Sequence, residues 1–208
     1  MNDRYARGLA ALNALAPQSA QAVQDALADI APDMGRFIME FAYGDVFTRP
    51  GLTPNLRQTA TIAALTALGN AAPQLRFHIE AGMAVGISPQ AVIDIIYVAT
   101  VFGGFPAGLN AIAAAREVFA GKGVAMPLPR SPEPETADRR ARGLAALAVT
   151  SRDAGQRVVE SLADIAPDFA GFILDFSYGD VISRPVLTPA QKEVAMIAAA
   201  VARGAMAP

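Results

Sequence analysis

The sequence predicts an all-α protein, and three observations carry that prediction. Prolines stand where the first turn of a helix favours them, at Pro32, Pro54 and Pro89, and Thr53 and Ser88 precede two of them as N-cap residues. Apolar side chains recur three and four residues apart, as in Phe37 with Phe41, Ile62 with Leu65 and Ala63 with Ala67, so each helix can turn one stripe towards a core. Strand-like alternation is absent from the sequence.

Taken in order, these signals place helices near residues 3–14, 18–29, 33–45, 54–68, 73–85, 89–102 and 107–120. The stretch from Ile95 to Ala115 carries no charge and has about the length of a membrane span. The Gly103-Gly104-Phe105-Pro106 run at its centre reads instead as a break between two shorter buried helices. After residue 121 the composition changes. Lys122 to Ala137 contains Pro127, Pro129, Pro132 and Pro134 among charges and few large apolar residues, which is the make-up of an extended linker.

Beyond the linker the chain repeats itself. Asp138–Pro208 aligns without a gap on Asp3–Pro73, and 38 of these 71 positions are identical. Arg7-Gly8-Leu9-Ala10-Ala11-Leu12 recurs as Arg142 to Leu147. Phe41-Ala42-Tyr43-Gly44-Asp45-Val46-Phe47-Thr48-Arg49-Pro50 recurs as Phe176-Ser177-Tyr178-Gly179-Asp180-Val181-Ile182-Ser183-Arg184-Pro185. The expected organisation is a complete module over 1–121, a linker over 122–137 and a truncated second copy over 138–208 that holds only the first four helices. Nothing in the second copy corresponds to Gln74–Ala120. A partial copy would expose an apolar face, so it is expected to pack on the first copy or on a neighbouring chain.

Composition narrows the function. With 17 basic and 19 acidic residues, a net charge of -2 and 17% charged residues, the chain has no field that would attract nucleic acid or an anionic membrane. At 53% hydrophobic residues it has little polar material to cover a monomer, so a homo-oligomer is expected. The N-terminus lacks the sustained apolar run of a signal peptide, and the expected location is cytoplasmic. The absence of cysteine removes disulfides, thiolate nucleophiles and cysteine metal sites. A single histidine argues against a histidine-rich metal centre.

That histidine, His78, is the first candidate for chemistry, because imidazole alone titrates near neutrality without perturbation. On spacing alone it is either a proton-transfer group or a hydrogen-bonded structural residue. Arg76 and Glu80 lie two residues to either side of it in a helix and so point away from it. Tyr43, Asp45 and Arg49 form a second candidate cluster where a helix meets a turn. The arginine can hold a carboxylate through two hydrogen bonds, and the tyrosine or aspartate can place a proton. The second copy keeps Tyr, Asp and Arg without a histidine, which leaves a structural duty for the cluster open. The glycine-rich run near residue 104 lacks the spacing and lysine of a phosphate loop. It suits close helix packing, with Asn110 just after it able to face a pocket.

The Tyr43-Gly44-Asp45-Val46 to Arg49-Pro50-Gly51-Leu52 block, the Ile62–Gly69 helix, Leu75-Arg76-Phe77-His78 and Gly104-Phe105-Pro106-Ala107-Gly108-Leu109-Asn110-Ala111 together resemble a carboxymuconolactone decarboxylase domain. The resemblance covers nearly all of residues 3–120 and, at its front part only, 138–208. It implies an all-α helical bundle of the alkylhydroperoxidase D type that is free of cofactor and assembles as a homo-oligomer, as a trimer or a hexamer-like ring. The peroxidase branch of that fold uses a CxxC pair before its histidine. Here Ala71 and Gln74 stand at the thiol positions, which excludes thiol peroxidase chemistry. The same branch carries a glutamate where this chain has Gln58 in the first copy and Glu193 in the second.

The activity the resemblance implies is loss of carbon dioxide from a small carboxylated lactone in aromatic catabolism. Such a reaction needs a carboxylate anchor, for which Arg49 is the candidate, and an acid, for which His78 is the candidate, with Tyr43 and Asp45 orienting them. The other reading is a non-catalytic helical module for assembly or small-molecule binding, which Gln58 and the partial second copy favour.

Overall fold

The structure is a computed structural model and describes residues 3–130 and 138–205, all of them helix, turn or irregular chain, with no strand among them. The first copy forms α1 (Asp3–Leu15), α2 (Ser19–Asp25), α3 (Pro32–Phe37), α4 (Pro54–Leu68), α5 (Ala72–Ala84), α6 (Pro89–Gly103) and α7 (Phe105–Gly121). The second forms α8 (Arg139–Ser161), α9 (Pro167–Phe172) and α10 (Pro189–Ala202). Thr53 and Ser88 act as the expected N-caps, accepting from Leu56 N and Ala91 N, contacts worth about 1 kcal/mol each. Gly104, at φ 83°, separates α6 from α7, and no helix among the described residues is long and apolar enough to cross a membrane.

Two expected helices take a different form. The helix expected near 33–45 starts as α3 but continues as a π-helical segment over Ile38–Phe47, and the same change occurs over Ile173–Ile182. The cause is crowding by α1. A Cβ on Gly8 would fall 1.8 Å from Met39 O, and one on Gly44 would fall 2.4 Å from Arg4 O, so the two backbones touch through paired glycines. The widened turn leaves the Gly44 carbonyl to accept from Arg7 Nε at 2.8 Å and Thr48 Oγ1 at 2.6 Å. Gly143, Gly179, Arg142 and Ser183 repeat the arrangement in the second copy.

The second difference is that the first two helices of the second copy are fused into the 23-residue α8, so this copy does not keep four separate helices. In the first copy Pro17 and a left-handed Gln18 end α1. Their equivalents are Arg152 and Asp153, and without the proline the helix runs on.

Both copies share one core. Ile62, Ile79, Val92, Ile95, Ile96 and Phe119 pack with Val181, Leu187, Ala195 and Ala199, because the alanine-rich face of α10 lies against α4 and α6. The described part of the linker is not free chain: Val124 and Leu128 pack on this core, while residues 131–137 lie outside the described residues. Polar contacts also cross between the copies. Arg184 Nε donates to Asp94 Oδ1 at 3.2 Å with its guanidinium 5.1 Å above the Tyr97 ring, Gln191 Nε2 donates to Asn55 Oδ1 at 3.0 Å, and Phe176 meets Phe105 at 5.7 Å. Arg49 and Phe41, the first-copy equivalents of Arg184 and Phe176, are exposed. Their partners would be equivalents of Asp94 and Phe105, which have no counterpart in the 208 residues.

Candidate functional site

His78 lies on α5, nearly two turns past the helix start, against α4 and the π-helical segment. Its Nδ1 is 2.9 Å from Gln58 Oε1, and its ring meets Phe77 edge-on at 5.0 Å and Phe47 at 6.2 Å. Tyr43 joins through Phe47, with ring centroids 5.0 Å apart. With the amide oxygen facing it, Nδ1 carries the imidazole proton and Nε2 keeps its lone pair. Burial pushes the His78 pKa down to about 4, so the ring is neutral at pH 7. Burial raises the Tyr43 phenol to about 12, so it keeps its proton. Gln58 is fully buried, and its Nε2 has no hydrogen-bond partner.

The π-helical segment positions this cluster. It carries Tyr43 and Phe47 inward on one side and Asp45 outward on the other. Asp45 is held by Arg4, and by Arg7 at 3.2 Å, both from α1. The hydrogen bond from Arg4 holds its carboxyl below the usual carboxylate range, with the charges of Arg4 and Arg7 adding to it. Asp180 makes the same brace to Arg139 and Arg142 in the second copy. Asp45 therefore ties the segment to α1, and no ion pair or hydrogen bond joins it to His78. Arg49 stands exposed two residues beyond Phe47, where Arg57 donates to the carbonyls of Val46 and Arg49. The Arg49 side chain makes no ion pair among the described residues.

Of the four expected site residues the structure links His78 and Tyr43 only through the Phe47 ring, and it places Asp45 and Arg49 at the segment's outer side and its end. Two partners were not foreseen as contacts: Gln58, twenty residues before His78 in the chain, and Phe47. The glutamate-to-glutamine change at 58 was the available signal, since it marked a position whose chemistry concerns the histidine. Arg76 and Glu80 form solvent-facing pairs with Glu117 and Lys122, as their helical spacing implied. Asn110 donates to Gly69 O at the end of α4.

An all-α bundle with a single, part-buried histidine set against a glutamine and two phenylalanine rings, and with no cysteine beside it, is a non-thiol member of the alkylhydroperoxidase D-like fold. The carboxymuconolactone decarboxylase family matches residues 32–117. The chain is 35% identical over 128 residues to 4-carboxymuconolactone decarboxylase of Acinetobacter baylyi, a match that covers 60% of this chain and 95% of that protein. It is 32% identical over 96 residues to an uncharacterized 15.0 kDa protein of the nqo9-nqo10 intergenic region in Paracoccus denitrificans, covering 46% of this chain and 72% of that one. The chain belongs to the carboxymuconolactone decarboxylase family.

Proposed function

We propose that the first copy is a cofactor-independent decarboxylase for a small carboxylated lactone of the 4-carboxymuconolactone kind. The observation that carries this reading is the His78–Gln58 pair, flanked by Phe47 and Phe77, in a chain 35% identical to a protein of that activity. In such a lactone the carbon bearing the carboxylate is conjugated through a double bond to the ring carbonyl. When the C–CO2 bond breaks, its electron pair enters the ring as a dienolate, and a proton then adds to the carbon next to the carbonyl, giving an enol-lactone.

Each step has a candidate group. Arg49, exposed and without an ionic partner among the described residues, anchors the carboxylate that is retained. Gln58 Nε2, a buried donor without an acceptor, donates to the carbonyl oxygen as negative charge develops there. His78 is neutral in the free protein, but a bound dianion beside it raises its pKa, so it takes a proton from solvent in the complex and delivers it to the dienolate carbon. Tyr43, which stays protonated, and Asp45, through its brace to Arg4 and Arg7, position the segment that closes over the imidazole.

The working form we propose is a cytoplasmic homo-oligomer, a trimer or hexamer-like ring. Large apolar side chains exposed in both copies support assembly: Ile30 with Ile165, and Phe37 with Phe172. Carbon dioxide release from 4-carboxymuconolactone by the purified chain at neutral pH tests the activity. Release with formation of the enol-lactone supports it. A folded protein that releases none discards this substrate and favours the non-catalytic binding module, in which the neutral His78–Gln58 pair is part of the core.

A further inference from the structure

A cleft of about 710 Å³ opens on the side of α6 and α7 where the second copy and the linker meet them, and His78, Tyr43, Gln58 and Arg49 do not line it. Its size falls within the range of small-molecule sites. Its floor is apolar, made by Ile93 of α6, Ile112 and Phe119 of α7 and Leu128 of the linker, and the segment Met126–Arg130 forms one wall. Its charged lining is entirely basic: Arg116, Arg130 and Arg184, with no acidic residue among them.

The three arginines are not equivalent. Arg184 is committed to Asp94, which is 2% exposed, and to the face of Tyr97. Arg116 and Arg130 are exposed and form no ion pair among the described residues. The acid next to Arg116, Glu117, is paired with Arg76 at 3.1 Å instead. In a chain whose net charge is -2, two guanidiniums with no ionic partner among the described residues flank an apolar floor. Each presents a planar fork suited to a carboxylate, and the floor suits a flat ring.

We propose that this cleft binds an aromatic or alicyclic dicarboxylate, with Arg116 and Arg130 each taking one acid group and the ring lying on Ile93, Ile112, Phe119 and Leu128. The site stands apart from His78 and does not depend on decarboxylase activity. One wall is the linker segment Met126–Arg130, so the site gives the linker a ligand-binding role in addition to packing.

Isothermal titration of the full chain with benzene-1,3-dicarboxylate tests the proposal, with the uncharged diamide as control. Wild type should take up one equivalent per chain at this site. The Arg116→Ala/Arg130→Ala double variant should bind at least ~10-fold more weakly, the loss expected for charged hydrogen bonds. The diamide should not bind, and His78→Ala should leave this binding unchanged. Both arginines are exposed and outside any ion pair among the described residues, so the double variant should keep the wild-type circular dichroism spectrum and melting curve. Arg130→Ala alone, expected to weaken binding in the same direction, serves if the double variant does not fold. No saturable uptake by folded wild type would overturn the proposal. So would uptake that survives loss of the arginines, or uptake abolished by His78→Ala alone, which would place the dicarboxylate at the other site.

Discussion

Because His78 is the only histidine, its environment can be read from stability without interference from another imidazole. Burial lowers its pKa from 6.5 to about 4, so the unfolded chain binds a proton at this position more readily than the native one. Stability from this group is therefore complete above about pH 6.5 and is lost as pH falls towards 4. With those two pKa values the loss is about 2 kcal/mol near pH 5 and about 3 kcal/mol near pH 4. His78→Gln removes the titration while keeping a polar side chain of similar reach beside Gln58. Urea unfolding of both proteins at neutral pH and near pH 4 isolates the effect, because Asp45, Asp175 and every other group that responds to acid is common to both. Wild type should lose about 2–3 kcal/mol more than the variant over that range. Equal losses would refute the claim that His78 is held neutral by burial, as would an imidazole proton resonance that titrates near 6.5.

Other perturbations follow from the same geometry. Gly8→Ala drives a methyl into Met39 O and should cost at least about 2–3 kcal/mol by chemical denaturation, whereas Gly35→Ala, whose Cβ has nothing nearer than 3.8 Å, should be close to neutral. Arg184→Leu removes the guanidinium that pairs with the buried Asp94 carboxylate and should destabilise the chain by about 2–4 kcal/mol, measured as a lowered melting temperature. Gln58→Glu sets a carboxylate against His78 Nδ1, now 2.9 Å from the amide oxygen, and should raise the histidine pKa well above 4 in an NMR titration.

Features that depend on a few neighbouring residues were legible in the sequence. Thr53 and Ser88 announce their helices because capping is local, and Gly104 announces the break between α6 and α7 for the same reason. The fused α8 was legible in principle, since the aligned copies differ by a proline at 17 and an arginine at 152. The π-helical segments were not, because they arise where α1 presses on a segment about forty residues away. Their trace in sequence is only the glycine pair at 8 and 44, repeated at 143 and 179. At the site, His78 stood out by being alone in its chemistry. Its pairing with Gln58 depends on how α4 and α5 cross, and the Arg184–Asp94 contact joins residues ninety apart through the packing of the second π-helical segment and α10 on α6. Residue type marked the candidates, and tertiary packing determined which of them meet.

We propose that His78 supplies the proton in a decarboxylation carried out by the first copy. The most direct test is kcat/KM for carbon dioxide release from 4-carboxymuconolactone, compared between wild type and His78→Ala at neutral pH. Wild type should turn the lactone over, and the variant should be slower by about 10²–10⁴-fold, the usual contribution of a general acid. A folded variant that keeps the wild-type rate would contradict that role.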